Sequence, residues 1–153
     1  MTTSYENIYN RFLQKVDDIE FLQLDKDIAY EKMSGWLHAA LSIPYARRLF
    51  ETLEKHDDVM ELRYTLKHPV DEDGDNDFIE EALALGMLIE WLEPKVQTTT
   101  LTARGLFGRE QKLYSAANHL AQMRGILSDA RSKQRKLIMD KGYINNSYLD
   151  GSR

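Results

Sequence analysis

Cysteine is absent from this 153-residue chain. Its absence excludes disulfides, thiolate metal sites and thiol nucleophiles, and fits a reducing compartment. Long apolar runs are lacking too: no stretch approaches the roughly 18 residues that a membrane span requires. The opening Met1-Thr2-Thr3-Ser4-Tyr5-Glu6-Asn7 has neither the basic nor the apolar region of a secretory signal. The chain therefore reads as a cytosolic product with no membrane partner. Proline occurs only three times, and Pro44 and Pro94 read as helix boundaries.

Patterns that carry chemistry are also missing. There is no G-x-S-x-G, P-loop or G-x-G-x-x-G, and Gly105-Leu106-Phe107-Gly108 has the wrong spacing for a phosphate cradle. His38, His56, His68 and His119 never fall three or four residues apart, so no helical two-His metal pair exists. The acidic run Asp71-Glu72-Asp73-Gly74-Asp75-Asn76-Asp77 suggests a calcium loop. It fails the EF-hand pattern, with Asn76 where glycine is needed and Ala82 where a bidentate glutamate is needed. It reads instead as a solvated loop whose acids favour the start of the next helix. Adjacent carboxylates such as Asp57/Asp58 and Glu80/Glu81 diverge on a helix and make no acid/base couple. No enzyme, cofactor or metal is expected.

What is present suits one globular domain, with 42% hydrophobic and 29% charged residues. Residues 1–95 hold 10 Lys+Arg against 21 Asp+Glu, and residues 96–153 hold 10 against 4, so the net −5 divides into −11 and +6. Such polarity suits a protein whose ends meet different partners or copies of itself, and equally an uneven monomer surface.

The periodicity predicts a mostly α fold, a bundle of four to five helices. Segment 4–20 has Ser4 as N-cap and a stripe of Tyr5, Ile8, Phe12, Val16 and Ile19. Segment 25–42 starts at Asp25 and turns Met33, Trp36, Leu37, Ala40 and Leu41 to one side. Pro44 opens a third helix, 44–55. Segment 59–67 alternates with period two. It reads as a short strand or hairpin edge that would need a partner, or as a helical turn. Segment 77–93 is apolar nearly all round, which makes it central, and it ends before Pro94. A long loop follows over 95–113. Helix 115–141 comes next, with a seam of Leu120, Met123, Leu127, Ala130, Leu137 and Ile138 and a stop at Gly142. Residues 1–142 form the domain and 143–153 an extended C-terminal arm. The basic run Arg131, Lys133, Arg135 and Lys136 is a solvated helix face or a phosphate-binding one. Partner contacts are expected from Leu101, Arg104, Leu106, Phe107 and Arg109 in the loop. Tyr143, Ile144, Tyr148 and Leu149 supply them in the arm.

One series of features has a familiar order. An acidic loop precedes Phe78-Ile-Glu-Glu-Ala-Leu-Ala-Leu-Gly-Met-Leu-Ile-Glu-Trp-Leu-Glu-Pro94, and after a connector Tyr114-Ser-Ala-Ala-Asn-His-Leu120 opens a long charged helix. This order resembles the head–tail connector (adaptor, or head-completion) family of tailed bacteriophages. The region 56–76 departs from it as an insert. The resemblance implies a structural virion protein of the phage neck, made in the host cytoplasm and built into the head–tail junction. It implies a homo-oligomeric ring, commonly of twelve copies, that binds the portal protein. A stopper or tail-completion protein would bind on the tail side, and genomic DNA would pass through the channel without sequence-specific binding. The alternative from the residues is a nucleic-acid-associated regulatory protein using the basic 124–141 helix.

Overall fold

The computed structural model describes residues 1–16, 19–105 and 110–144. In chain order the elements are β1 (Thr2–Ser4), α1 (Tyr5–Leu13), α2 (Ile19–Leu22), α3 (Lys26–Ser42), α4 (Pro44–Arg47), β2 (Phe50–His56), β3 (Glu61–Leu66), α5 (Glu72–Gly105) and α6 (Glu110–Ile144). The protein is mostly helical, with a small antiparallel sheet in the order β1-β3-β2.

Helix α5 is central, as its composition requires. Phe78, Ile79 and every residue from Ala82 to Ile89 except Gly86 are buried apolar side chains, with Leu92 closing the run. Helices α1, α3 and α6 and strand β1 all pack against it. A helix without a wet face must be covered all round, and these elements supply the cover. On α1, Tyr5, Ile8, Phe12 and the following Val16 are buried at the expected spacing. The Ser4 side chain caps α1 by accepting from the Asn7 N–H at 3.2 Å. Beside α5, Phe12 and Phe21 each stand 5.5 Å from the Trp36 ring, and Phe12 meets Trp91 edge-on at 6.4 Å.

Several boundaries differ from the sequence expectation. Helix 44–55 is reduced to the single turn α4, and 50–56 is strand. The alternating segment 61–66 buries Leu62, Tyr64 and Leu66 and needs partners on both edges. Residues 50–56 pair on one side, Phe50 opposite Leu66 and His56 opposite Glu61, and Thr2–Ser4 pair on the other. The gain from ladder bonds outweighs a weak local helix tendency. Helix 4–20 stops as α1 at Leu13. The acidic loop is largely the first turns of α5, which begins at Glu72 with the Asp71 side chain accepting from the Gly74 N–H at 2.6 Å.

The long loop 95–113 is the main correction. Helix α5 runs through Pro94 to Gly105, and α6 starts at Glu110 and continues past Gly142 to Ile144. Two helices of 34 and 35 residues, about 50 Å each at 1.5 Å per residue, form an antiparallel hairpin. Lys141 meets Asp75, Gln134 meets Ala82 and Arg131 meets Glu93, so the partners step in opposite directions. Pairing along this length outweighs the interior proline and the Thr98-Thr99-Thr100 run, both poor for an isolated helix.

Gly86 is where three helices meet. A Cβ there would lie 2.9 Å from the Ala40 Cβ of α3 and 3.1 Å from the Gln134 Nε2 of α6. The missing side chain lets α3 close on α5 and lets Gln134 donate to the Ala82 carbonyl at 3.0 Å. Gly86→Ala gains about 0.5–1 kcal/mol of helix propensity but must push both neighbours away, at about 1–3 kcal/mol. Urea unfolding should show a net loss for Gly86→Ala. The matching Gly125→Ala on α6, where an added Cβ meets nothing within 4 Å, should be neutral or stabilising. Equal effects at the two glycines would contradict the close approach.

Candidate assembly surfaces

The inner seam of α6 is Met123, Leu127, Ala130, Gln134, Leu137 and Lys141, spaced alternately by four and three residues. This is a heptad seam laid on α5. Its two polar members are both satisfied. Gln134 bonds the Ala82 carbonyl, and the Lys141 ammonium pairs with the buried Asp75 carboxylate while standing over the Phe78 ring at 5.4 Å. Asp75 also accepts from the Val70 N–H at 2.8 Å. These contacts clasp the C-terminal end of α6 to the N-terminal end of α5. Elsewhere on α6, the exposed Arg124, Arg135, Lys136 and Met139 lie away from the seam, and the exposed Ile126 and Lys133 flank it. Toward the other end of the hairpin, Gln97 and Thr98 on α5 and Ala117, Asn118 and His119 on α6 are exposed. The hairpin there has left the body.

A second network ties α1 to α5. Glu80 is buried and accepts from Thr3 Oγ1 at 2.5 Å, Asn7 Nδ2 at 3.2 Å and Arg11 Nε at 3.0 Å. Arg11 reaches Asp77 at 2.6 Å, and Lys15 reaches Glu81 at 2.7 Å. The adjacent Glu80 and Glu81 share Arg11, which stands 3.7 Å from Glu81, and Lys15 pairs with Glu81. The network is spent on holding two helices together.

The constellation that sequence reading missed lies at the β2–β3 turn. Asp57 accepts from the buried Tyr5 hydroxyl at 2.6 Å and lies 2.9 Å from His38 Nε2. The Tyr5 hydrogen bond holds the Asp57 carboxyl below its ordinary range, helped by His38. Tyr5 is pushed up chiefly by burial. The trio joins three elements distant in sequence, and nothing in the spacing of 5, 38 and 57 signals it. Asp57 is exposed and its partners are committed to it, so the arrangement fixes the turn rather than presenting a nucleophile. At the same turn Met60 has φ 53°, and its carbonyl accepts from the Tyr5 N–H at 2.8 Å.

Of the residues expected to make partner contacts, Leu101 and Arg104 fall within α5 and Tyr143 within α6. Ile144 ends α6, is exposed, and lines an apolar hollow of about 390 Å³ with Val70, Phe78 and Leu137. Leu106, Phe107, Arg109, Tyr148 and Leu149 lie outside the described residues, as does the arm beyond 144. The structure thus moves Leu101, Arg104, Tyr143 and Ile144 from loop and arm onto the helical hairpin. Among the described residues, no group of three or more His, Asp or Glu is placed to hold a metal ion.

Two expectations follow. Lys141→Met strips Asp75 of its cation and should cost about 3 kcal/mol, the lower end for breaking a buried pair. Adding Asp75→Asn should recover most of it in urea unfolding. Recovery of nothing would show that the pair does not act as a unit. Burial also pushes the Tyr9 phenol up to about 12 and raises Tyr64. The unfolded chain then loses these protons near pH 10 while the native state keeps them. The native state binds more protons, so stability is complete below about pH 10 and falls as pH rises toward 12. Absorbance near 295 nm should show Tyr5, Tyr9 and Tyr64 ionising only as the fold is lost. Ionisation of all eight tyrosines near pH 10 with the fold intact would contradict this.

No protein-family model, no curated protein and no solved structure matches the chain.

Proposed function

We propose that this chain is a structural subunit of a tailed-phage neck. It would form a homo-oligomeric ring that binds the portal, extends the DNA channel and receives a stopper or tail-completion protein. The observation that carries this reading is the α5–α6 hairpin. One end is clasped into the body by Lys141 and Asp75, and at the other Gln97, Thr98, Ala117, Asn118 and His119 are exposed, so the two helices project from the body. A projection of this kind suits docking more than chemistry. The polar side chains that meet inside the domain support the same reading, because they are spent on pairing elements. Glu80 holds Arg11, Asp75 holds Lys141 and Asp57 holds Tyr5. The unequal charge of the two halves supports a head-to-tail contact between copies, which closes into a ring if the rotation allows. The resemblance over 78–141 to head–tail connectors names the assembly that this architecture would serve.

A second reading, a nucleic-acid-associated regulatory protein, is favoured by the exposed basic face of α6 with Lys133, Arg135 and Lys136. Such a protein would bind duplex DNA with a steep salt dependence.

The deciding measurement is the native mass of the purified chain alone and with portal rings. A discrete ring on the portal, and DNA affinity absent at physiological salt, are expected. Truncation after Ile144 should weaken tail joining while leaving the far-ultraviolet circular dichroism unchanged. A chain that ignores portal rings and binds DNA with a salt slope of several phosphates would replace the neck reading with the second one.

A further inference from the structure

Two features so far unassigned have complementary chemistry. The first is the tip of the β2–β3 hairpin. Its turn carries Asp57, Asp58 and Val59, and Val59 is 56% exposed between acids and Met60. The tip is held stiffly. Tyr5 and His38 grip the Asp57 carboxylate, and the Tyr5 N–H grips the Met60 carbonyl. Met60 is kept at φ 53°, a left-handed conformation that is unfavourable for a non-glycine residue. Strain maintained at an exposed turn by three contacts points to a shape that is used. A preformed tip also loses little freedom on docking.

The second feature is a groove between α2, α3 and α5. It encloses about 360 Å³ and is walled by Phe21, Leu24, Trp36, Trp91 and Pro94. That size falls in the roughly 300–1,000 Å³ range of ligand-holding clefts. Among the described residues, the charged ones that line it are Lys32 and Lys95, both cationic, and Lys95 stands over the Trp91 ring at 4.5 Å. An aromatic floor with a lysine rim suits an apolar tip flanked by carboxylates.

We infer that the acidic β2–β3 tip of one copy docks, Val59 first, into the Trp36–Trp91 groove of the next copy. The inference rests on the ring reading above and names the surfaces of that ring. Geometry forbids one copy from filling its own groove. His38, which holds the tip, and Trp36, which lines the groove, are two residues apart on α3, about 200° round a helix of 3.6 residues per turn. Tip and groove therefore face opposite sides of α3. A knob on one side and a hole on the other make a heterologous contact, the kind that generates rings rather than closed pairs.

The chain has no cysteine, so the contact can be read directly with single Val59→Cys and Lys32→Cys variants of the full chain. Mixed in equal amounts under mild oxidation, with portal rings present and without, they should give a disulfide dimer that neither variant gives alone. In sedimentation velocity, Asp58→Lys and Lys32→Glu should each weaken self-association about tenfold. Combined in one chain, they should restore it to within about threefold of the parent. Circular dichroism identical to the parent shows that each variant is folded. Rings that form while the mixture fails to cross-link overturn the tip-in-groove contact and leave the ring reading standing. A chain that stays monomeric with and without portal rings, and never cross-links, overturns both.

Discussion

Between Phe78 and Leu92 helix α5 is buried nearly all round, with only Glu81, Glu90 and Trp91 partly exposed, and the rest of the molecule is arranged as its cover. Helix α1 lies on one flank, α3 on another and α6 on a third, while β1 anchors the sheet beside it. The polar atoms that the cover brings in are fastened to α5 itself. Arg11 and Thr3 meet Glu80, Lys141 meets Asp75, and Gln134 meets the Ala82 carbonyl. Gly86 sets how closely the layers approach. Apolar burial supplies the drive, and these pairs fix the register in which it is satisfied.

That arrangement explains why the charge halves matter. The acidic first half of the chain holds α1, the sheet and the N-terminal turns of α5, and the basic second half is chiefly α6. Some of the opposite charge is used internally, as in Arg131 with Glu93. The remainder gives the outer face of α6 a basic character and the β2–β3 tip an acidic one. In the ring proposed above, a surface divided in this way is one that a second copy would read.

Much of this was legible from residues alone. The stripe Tyr5, Ile8, Phe12, the cap Ser4, the centrality of 78–92 and the seam Met123, Leu127, Ala130 all rest on local periodicity, and local periodicity survives folding. The alternating segment 59–67 pointed to a strand in need of partners or to a helical turn, and the strand forms over Glu61–Leu66. The partners themselves were hidden. Thr2–Ser4 is too short to show a period, and Phe50–His56 follows Pro44, a residue that suits a helix start. The hairpin was hidden for a related reason. Pro94, three threonines and Gly105 all weaken a helix taken by itself, and only the facing α6 makes the continued helix the better state. The Tyr5–His38–Asp57 trio had no signature, because it exists only once the sheet has placed its turn beside α3.

Pro94 has a mechanical consequence. Lacking an N–H, it leaves the Glu90 carbonyl without its intrahelical donor, and its ring crowds that same turn. That turn, 90–94, holds Leu92, the last buried residue of α5 among those described, and Gln97 and Thr98 beyond it are exposed. One rung is missing from the ladder where the buried stretch of α5 gives way to its exposed continuation. The helix is weakest at that turn when taken alone, and α6 packed alongside carries it across.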